Sequence, residues 1–205
     1  MRLIRMTMAA LAAIPLCAPA IFGAEQEIGL TLGALSGPDR SFQGGTIGFS
    51  TGTALQVNYA SRFLSLHFAD LFGEVHFLAS PQQQLSSLNG AVTKDIAVLY
   101  LTPGVRLKFL PGNRLSPWIS GGGGYSLYEQ STTTIAGTPN GAPRHSSGGA
   151  LQFGAGADFK VLPRISVRGE VRDFYTGSPK FNIPVDGSGQ FHVVVGGGIV
   201  LRFGR

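Results

Sequence analysis

The chain is short of charge. Only 13% of its 205 residues are Asp, Glu, Lys or Arg, about half the usual share of a soluble domain, so too few charges are present to cover a watery surface. It is also short of cysteine: Cys17 is the one cysteine and falls in the first 24 residues, so residues 25 to 205 can hold no disulfide and no thiolate metal site. Proline is sparse at 12 residues and glycine follows no fixed period, which excludes collagen-like and low-complexity chains. Disorder is excluded by a hydrophobic content of 43%. Beyond residue 24 no apolar run approaches the roughly 20 residues that a membrane helix needs. His67, His76, His145 and His192 have no metal-ligand spacing, so no metal or other cofactor is expected.

What is present begins with an address. Two arginines in Met1 to Arg5 precede an uncharged stretch, Met6 to Phe22, that Pro15 and Pro19 interrupt. This reads as a secretory signal rather than an anchor. Ala18-Pro19-Ala20 and Gly23-Ala24 offer cleavage sites, and Leu16 before Cys17 argues against lipidation. The expected organisation is a cleaved signal over residues 1–24 and one domain over 25–205. Losing Arg2 and Arg5 leaves 14 basic against 11 acidic residues, a net charge of +3, which does not describe a nucleic-acid binder.

The remaining chain alternates with a period of two. Phe191, Val193, Val195, Gly197, Ile199, Leu201 and Phe203 share one face. The same alternation runs through Leu99 to Phe109, Leu151 to Phe159 and Ile165 to Val171. Charges fall on the other face, at Arg106, Lys108, Asp158, Lys160, Arg168, Glu170, Arg172 and Arg202, and Asp173 is a lone acid near the outer end of the apolar set. Eight segments follow, at about 26–35, 51–61, 64–79, 94–110, 115–130, 148–160, 164–175 and 190–203. Short turns near Ser61-Arg62, Pro111 to Asn113 and Leu162-Pro163 alternate with long polar links through 37–45, 81–92, 132–147 and 177–190. The pattern predicts an all-β fold, an eight-stranded antiparallel up-and-down transmembrane β-barrel with both termini in the periplasm. A soluble barrel of the lipocalin kind would have to show water an exterior of Gly, Ser, Thr, Val and Gln. Two aromatic girdles are expected, Tyr59, Phe63, Phe109, Trp118, Phe159 and Phe203 near the short turns, and Tyr125, Tyr128, Phe174, Tyr175 and Phe191 near the long links. The third segment changes parity between Leu64, Leu66, Phe68 and Val75, Phe77, which predicts a bulge within 69–73. Pro103 predicts a second irregularity.

Eight strands leave an interior that side chains can fill. Pairing the sixth and seventh segments about 161–163 sets Gly156 opposite Arg168 and Gly154 opposite Glu170, with Asp158 diagonal to Arg168. Pairing the fourth and fifth sets Gly122 and Gly124 across from Thr102 and Tyr100, with Arg106 near Trp118. Glu74 and His76 are expected to point inward. Glu74, Arg106, Asp158, Arg168, Glu170 and Arg172 are therefore expected to form a lumen ion network, since an unpaired buried charge is costly.

Gly198-Ile199-Val200-Leu201-Arg202-Phe203 resembles the terminal-strand insertion signal of bacterial outer-membrane proteins, carried by Gly198, Leu201 and Phe203, with Gly204-Arg205 added beyond it. Across residues 25–205 the chain resembles the small eight-stranded outer-membrane family that includes the OmpA transmembrane domain and OmpX. The resemblance implies a location in the outer membrane of a Gram-negative-type bacterium, contact with outer-membrane lipid, and a terminal strand read by the barrel assembly machinery. With no segment after the last strand, no peptidoglycan-binding domain is expected.

Arg144-His145-Ser146-Ser147 resembles the His-x-Ser pair of lipid A deacylases, but Gly148 stands where Asn follows and the pair is placed in a polar loop. Gly121 to Gly124 lies in a strand with no following Lys-Ser/Thr, so it makes space rather than binding phosphate. No enzyme is expected. The first expectation is a structural or surface-interaction barrel whose partner, met through the long links, the sequence does not name. A narrow porin or OmpW-like transporter of small apolar ligands comes second, and a lipid A-modifying enzyme third.

Overall fold

The computed structural model describes residues 24–42, 45–177 and 189–204. The expected signal segment, apart from Ala24, lies outside the described residues, as does most of the link through 177–190. Alternating side chains become strands whose two faces differ: Val195 is 57% exposed and Phe153 60%, whereas His192, Arg172 and Arg106 are fully buried. The strands are β1 (Gln26–Ser36), β2 (Arg40–Phe42), β3 (Gly45–Phe49), β4 (Gly52–Ser65), β5 (Ala69–Ser86), β6 (Asp95–Phe109), β7 (Leu115–Gln130), β8 (His145–Leu162), β9 (Ile165–Gly177) and β10 (Gly189–Phe203).

Eight of them close on themselves. β1 pairs with β4, the ladder runs in chain order from β4 to β10, and β10 returns to β1, every pairing antiparallel. Closure leaves the ring without an edge. The expected fold is thus the observed one, with an addition that the polar composition of the first link concealed. β2 and β3 form a hairpin, and β3 pairs with the far end of β5 through Gly48↔Ser86 and Phe49↔Leu85.

Several local expectations are corrected. The first short turn is not at Ser61-Arg62: β4 runs on to Ser65 and residues 66–68 turn the chain. Leu64 therefore belongs to β4 and Val75 to β5, so their differing parities need no bulge within 69–73. The register shift sits on β4 between Arg62 and Leu64. The second link shortens because β5 passes Pro81 after a shift between Ser80 and Gln83, and the third because β8 starts at His145.

Two expected registers move by two residues. A shift between Lys160 and Leu162 sets Asp158 opposite Arg168, Gly156 opposite Glu170 and Gly154 opposite Arg172. β6 and β7 place Gly122 opposite Gly104, not Thr102, and Tyr100 opposite Ser126, not Gly124. A two-residue slip leaves every side chain on its predicted face. The expected irregularity at Pro103 is present. Pairing of β6 with β7 stops after Leu101↔Tyr125 and resumes at Gly104↔Gly122, because proline has no N–H to donate. Here the backbones press together: a Cβ on Gly122 would lie 2.6 Å from the Pro103 carbonyl oxygen.

The girdles lose three members. Trp118, Tyr128 and Phe174 are at most 2% exposed and face the interior, whereas Phe63, Phe159 and Phe203 at one end and Tyr125, Tyr175 and Phe191 at the other remain on the outer wall. Parity explains this, since Trp118 alternates with Ile119 and shares the face of Ser116.

Candidate functional site

The lumen near the short turns is built from charge. Glu27 of β1 reaches Arg106 at 2.5 Å, Lys108 at 2.6 Å, Arg202 at 3.2 Å and Arg168 at 3.5 Å. Asp158 of β8 accepts from Lys108 at 2.7 Å and from Arg168 through both Nε at 2.7 Å and Nη2 at 3.0 Å. Farther toward the long links, Glu74 of β5 meets Arg172 at 2.7 Å and Arg106 at 3.2 Å and accepts from Asn58 at 3.2 Å. Glu170 pairs with Arg172 at 3.2 Å. Four buried carboxylates, Glu27, Glu74, Asp158 and Glu170, thus face four buried cations, Arg106, Lys108, Arg168 and Arg172, while Arg202, 10% exposed and shared with Glu25, lies at the rim of the group. Balance is what allows such burial.

Trp118 stands at the centre of this cluster. The guanidinium carbons of Arg168, Arg172 and Arg106 lie 4.9, 5.0 and 5.7 Å from its ring centroid, and Arg106 also lies 5.1 Å from Phe72. Flat guanidinium groups favour such stacking, which leaves their edges free for carboxylates. Facing glycines supply the room. A Cβ on Gly156 would lie 2.6 Å from the Trp118 ring, and one on Gly154 would lie 3.1 Å from the Arg172 stem.

Toward the long links the lumen changes character. Tyr100 stacks on Phe174 with ring centroids 4.6 Å apart, and its hydroxyl bonds to His192 Nδ1 at 2.6 Å and to the Tyr128 hydroxyl at 3.0 Å. Tyr128 also meets the Thr176 hydroxyl at 2.6 Å and accepts from Gln190 at 3.2 Å. Leu35, Ala54, Leu78, Val98 and Val194 pack around these rings, and the cluster continues upward into Phe42, Ile47 and Phe49 of the hairpin region. Phe49 meets His192 edge-on at 6.3 Å. Beside the hairpin, the links after β5 and after β7 bond to each other, Lys94 N to Thr133 O at 3.1 Å and Ile135 N to Val92 O at 2.8 Å.

Glu74, Arg106, Asp158, Arg168, Glu170 and Arg172, the six residues chosen from sequence, therefore sit inside the ring and in contact with one another. Glu27 and Lys108 complete the group and lie outside the six residues that the sequence predicts for it. Their signal was available, since Lys108 follows Arg106 by two residues and Glu27 alternates with Ile28 and Leu30. Gly198 lies on the inner face of β10 opposite Thr31 of β1, with Leu201 and Phe203 on the outer wall. His145 is on β8 rather than in a loop. Its ring lies 3.9 Å from Glu129, and Ser147 stands opposite Leu127. Among the described residues no three His, Cys, Asp or Glu side chains are grouped to hold a metal ion.

No protein-family model and no curated protein sequence matches the chain. Solved structures do. Neisserial surface protein A is 12% identical, with a TM-score of 0.57 over 87% of this chain and 97% of that one. Ail, the attachment invasion locus protein of Yersinia pestis, solved with the heparin analogue sucrose octasulfate, is 15% identical, with a TM-score of 0.51 over 89% of this chain and all of that one. These likenesses show the fold, that of the small eight-stranded outer-membrane barrels. The belt of apolar and aromatic side chains around the outer wall is the surface such a barrel presents to a bilayer.

Proposed function

We propose that this outer-membrane barrel is closed to solutes and serves as a structural or surface-interaction protein, meeting its partners through the long-link end. The observation that carries the reading is the double filling of the lumen, by a neutral network of buried charges at one end and by stacked aromatic and aliphatic side chains under a hairpin at the other. An eight-stranded ring has little interior to spare, and here both halves are occupied. Residues 1–24 are the export signal in this reading, and the terminal strand with Gly198, Leu201 and Phe203 is the segment that the assembly machinery recognises. The full mature chain in planar bilayers should give no steady conductance, only brief, small openings. A stable channel of general-porin size would overturn the proposal.

A second reading has one observation in its favour. The apolar lining around Tyr100 and Phe174 suits a carrier of small apolar ligands, in which those rings would move aside. Uptake of a short alkane into vesicles holding the protein, lost in Phe174→Asp, would favour it. Catalysis has less support. His145 to Ser147 sit on an exposed strand end where, among the described residues, Glu129 is the one acid paired with them, and deleting them should leave the lipid A acyl pattern unchanged.

A further inference from the structure

The rim at the short-turn end is charged unevenly. Where β4 meets β5, Arg62 pairs with Glu25 at 3.0 Å and with Asp70 at 3.1 Å, so cation and acid are matched on that arc. On the arc formed by β7, β8 and β9, Arg114, Lys160 and Arg164 gather without an acid. Lys160 N donates to Arg114 O at 2.8 Å, which sets the two residues side by side where β7 begins and β8 ends. Lys160 also stands opposite Ser166 of β9, and Arg164 lies two residues farther toward the rim, about 7 Å. The inward carboxylates of this end are taken, Glu27 by Arg106, Lys108 and Arg202, and Asp158 by Lys108 and Arg168. Among the described residues no acid pairs with Arg114, Lys160 or Arg164, of which the two arginines are exposed and the lysine half-buried.

Arg114 lies against the outer wall. Its guanidinium carbon is 4.9 Å from the ring centroid of Phe159, an exposed member of the aromatic belt at this end. Such belts sit at headgroup depth, and the guanidinium shares that depth. A guanidinium held by its face keeps its edge N–H groups free to donate to a phosphate. One residue farther toward the midplane the wall turns apolar. Leu115, Phe159, Val167 and Ile199 form a single row across β7 to β10, all well exposed. From rim to midplane the surface thus passes from unmatched cations to apolar side chains, the order in which a phospholipid presents its headgroup and its acyl chains.

We propose that Arg114, Lys160 and Arg164 hold the phosphate of an anionic glycerophospholipid in the periplasmic leaflet, the phosphodiester at the rim and the acyl chains running along the row of Leu115, Phe159 and Val167 toward the midplane. The short turns of such a barrel face the periplasm, which puts this arc against the inner leaflet. Net charge selects the lipid: a cluster with no acid favours a headgroup of net negative charge, whereas the ammonium of a zwitterionic headgroup is repelled by the same cations. The stacking of Arg114 on Phe159 favours a lipid over a free phosphate or an acidic protein segment, since it holds the guanidinium on the wall that the bilayer covers.

Native mass spectrometry of the refolded full mature chain, in micelles doped with phosphatidylglycerol or with phosphatidylethanolamine, tests the site. The wild type should retain phosphatidylglycerol at least about tenfold better, a margin within reach of three basic side chains beside an anionic headgroup. Arg114→Gln should lower that preference severalfold, and Arg114→Gln/Lys160→Gln/Arg164→Gln should erase it while heat-modifiable migration shows the barrel intact. If the triple variant fails to fold, the single substitution decides by itself. Arg144→Gln, which removes an exposed arginine at the opposite end, should leave the preference unchanged. Equal retention of the two lipids by the wild type, a preference that survives the substitutions at Arg114, Lys160 and Arg164, one that Arg144→Gln lowers as far as Arg114→Gln does, or release of the lipid by an excess of glycerol phosphate would each overturn the proposal.

Discussion

Near the short turns the lumen is held by eight charges that neutralise one another around Trp118, while near the long links the same lumen is held by Tyr100, Phe174, Tyr128 and aliphatic side chains under the hairpin. Both halves are lined by buried side chains, yet they respond differently to damage. Buried ion pairs are brittle, because removing one member strands the other in a medium that cannot solvate it. Apolar packing fails gradually, in proportion to the volume removed. In the closed-lumen proposal, one barrel thus carries a seal that depends on completeness beside one that depends on bulk.

The sharpest way to break the comparison is Arg168→Ala. This removes one of the two partners of Asp158, leaving Lys108, and one partner of Glu27, and should cost about 3–5 kcal/mol in urea unfolding from lipid vesicles. A loss below about 1 kcal/mol would mean that the charges are independently solvated. Next comes Gly156→Val, which drives a side chain into the Trp118 ring and the Gly169 carbonyl and should cost about 1–3 kcal/mol by overpacking. In the apolar half, Tyr100→Phe keeps the stack on Phe174 but loses the bonds to His192 and Tyr128, a loss of about 1 kcal/mol in the same assay. The smallest effect belongs to Arg144→Ala. Its pair with Glu129, at 2.6 Å, has an arginine side chain 53% exposed, so unfolding should shift by less than about 1 kcal/mol. If Arg144→Ala cost as much as Arg168→Ala, burial would not be what separates the two kinds of ion pair.

The two halves also differed in how well the sequence announced them. The charged half was legible because Arg168, Glu170 and Arg172 interrupt Val167, Gly169 and Val171 at every second residue, and a contrast of that kind survives even a register error of two. The apolar half was not. Where both wall and lumen are apolar the contrast vanishes, as in β5, where Phe77, Leu78, Ala79 and Ser80 are buried in succession, and as in β10, where Val193 faces out and Val194 in. The sequence places Tyr128 and Phe174 on the outer wall for the same reason, their chemistry suiting either side. The hairpin went unseen because β2 has three residues and β3 five, too short for alternation to rise above the polar residues around it.

Single-channel recording on four proteins tests the two-seal account most directly: the wild type, Glu170→Ala/Arg172→Ala, Tyr100→Ala/Phe174→Ala, and the four substitutions combined. The first pair is removed together so that Glu74 keeps Arg106. The account predicts steady conductance only in the combined variant, each remaining seal sufficing alone. Steady conductance in the wild type, or in either pair at the level of the combined variant, would contradict it.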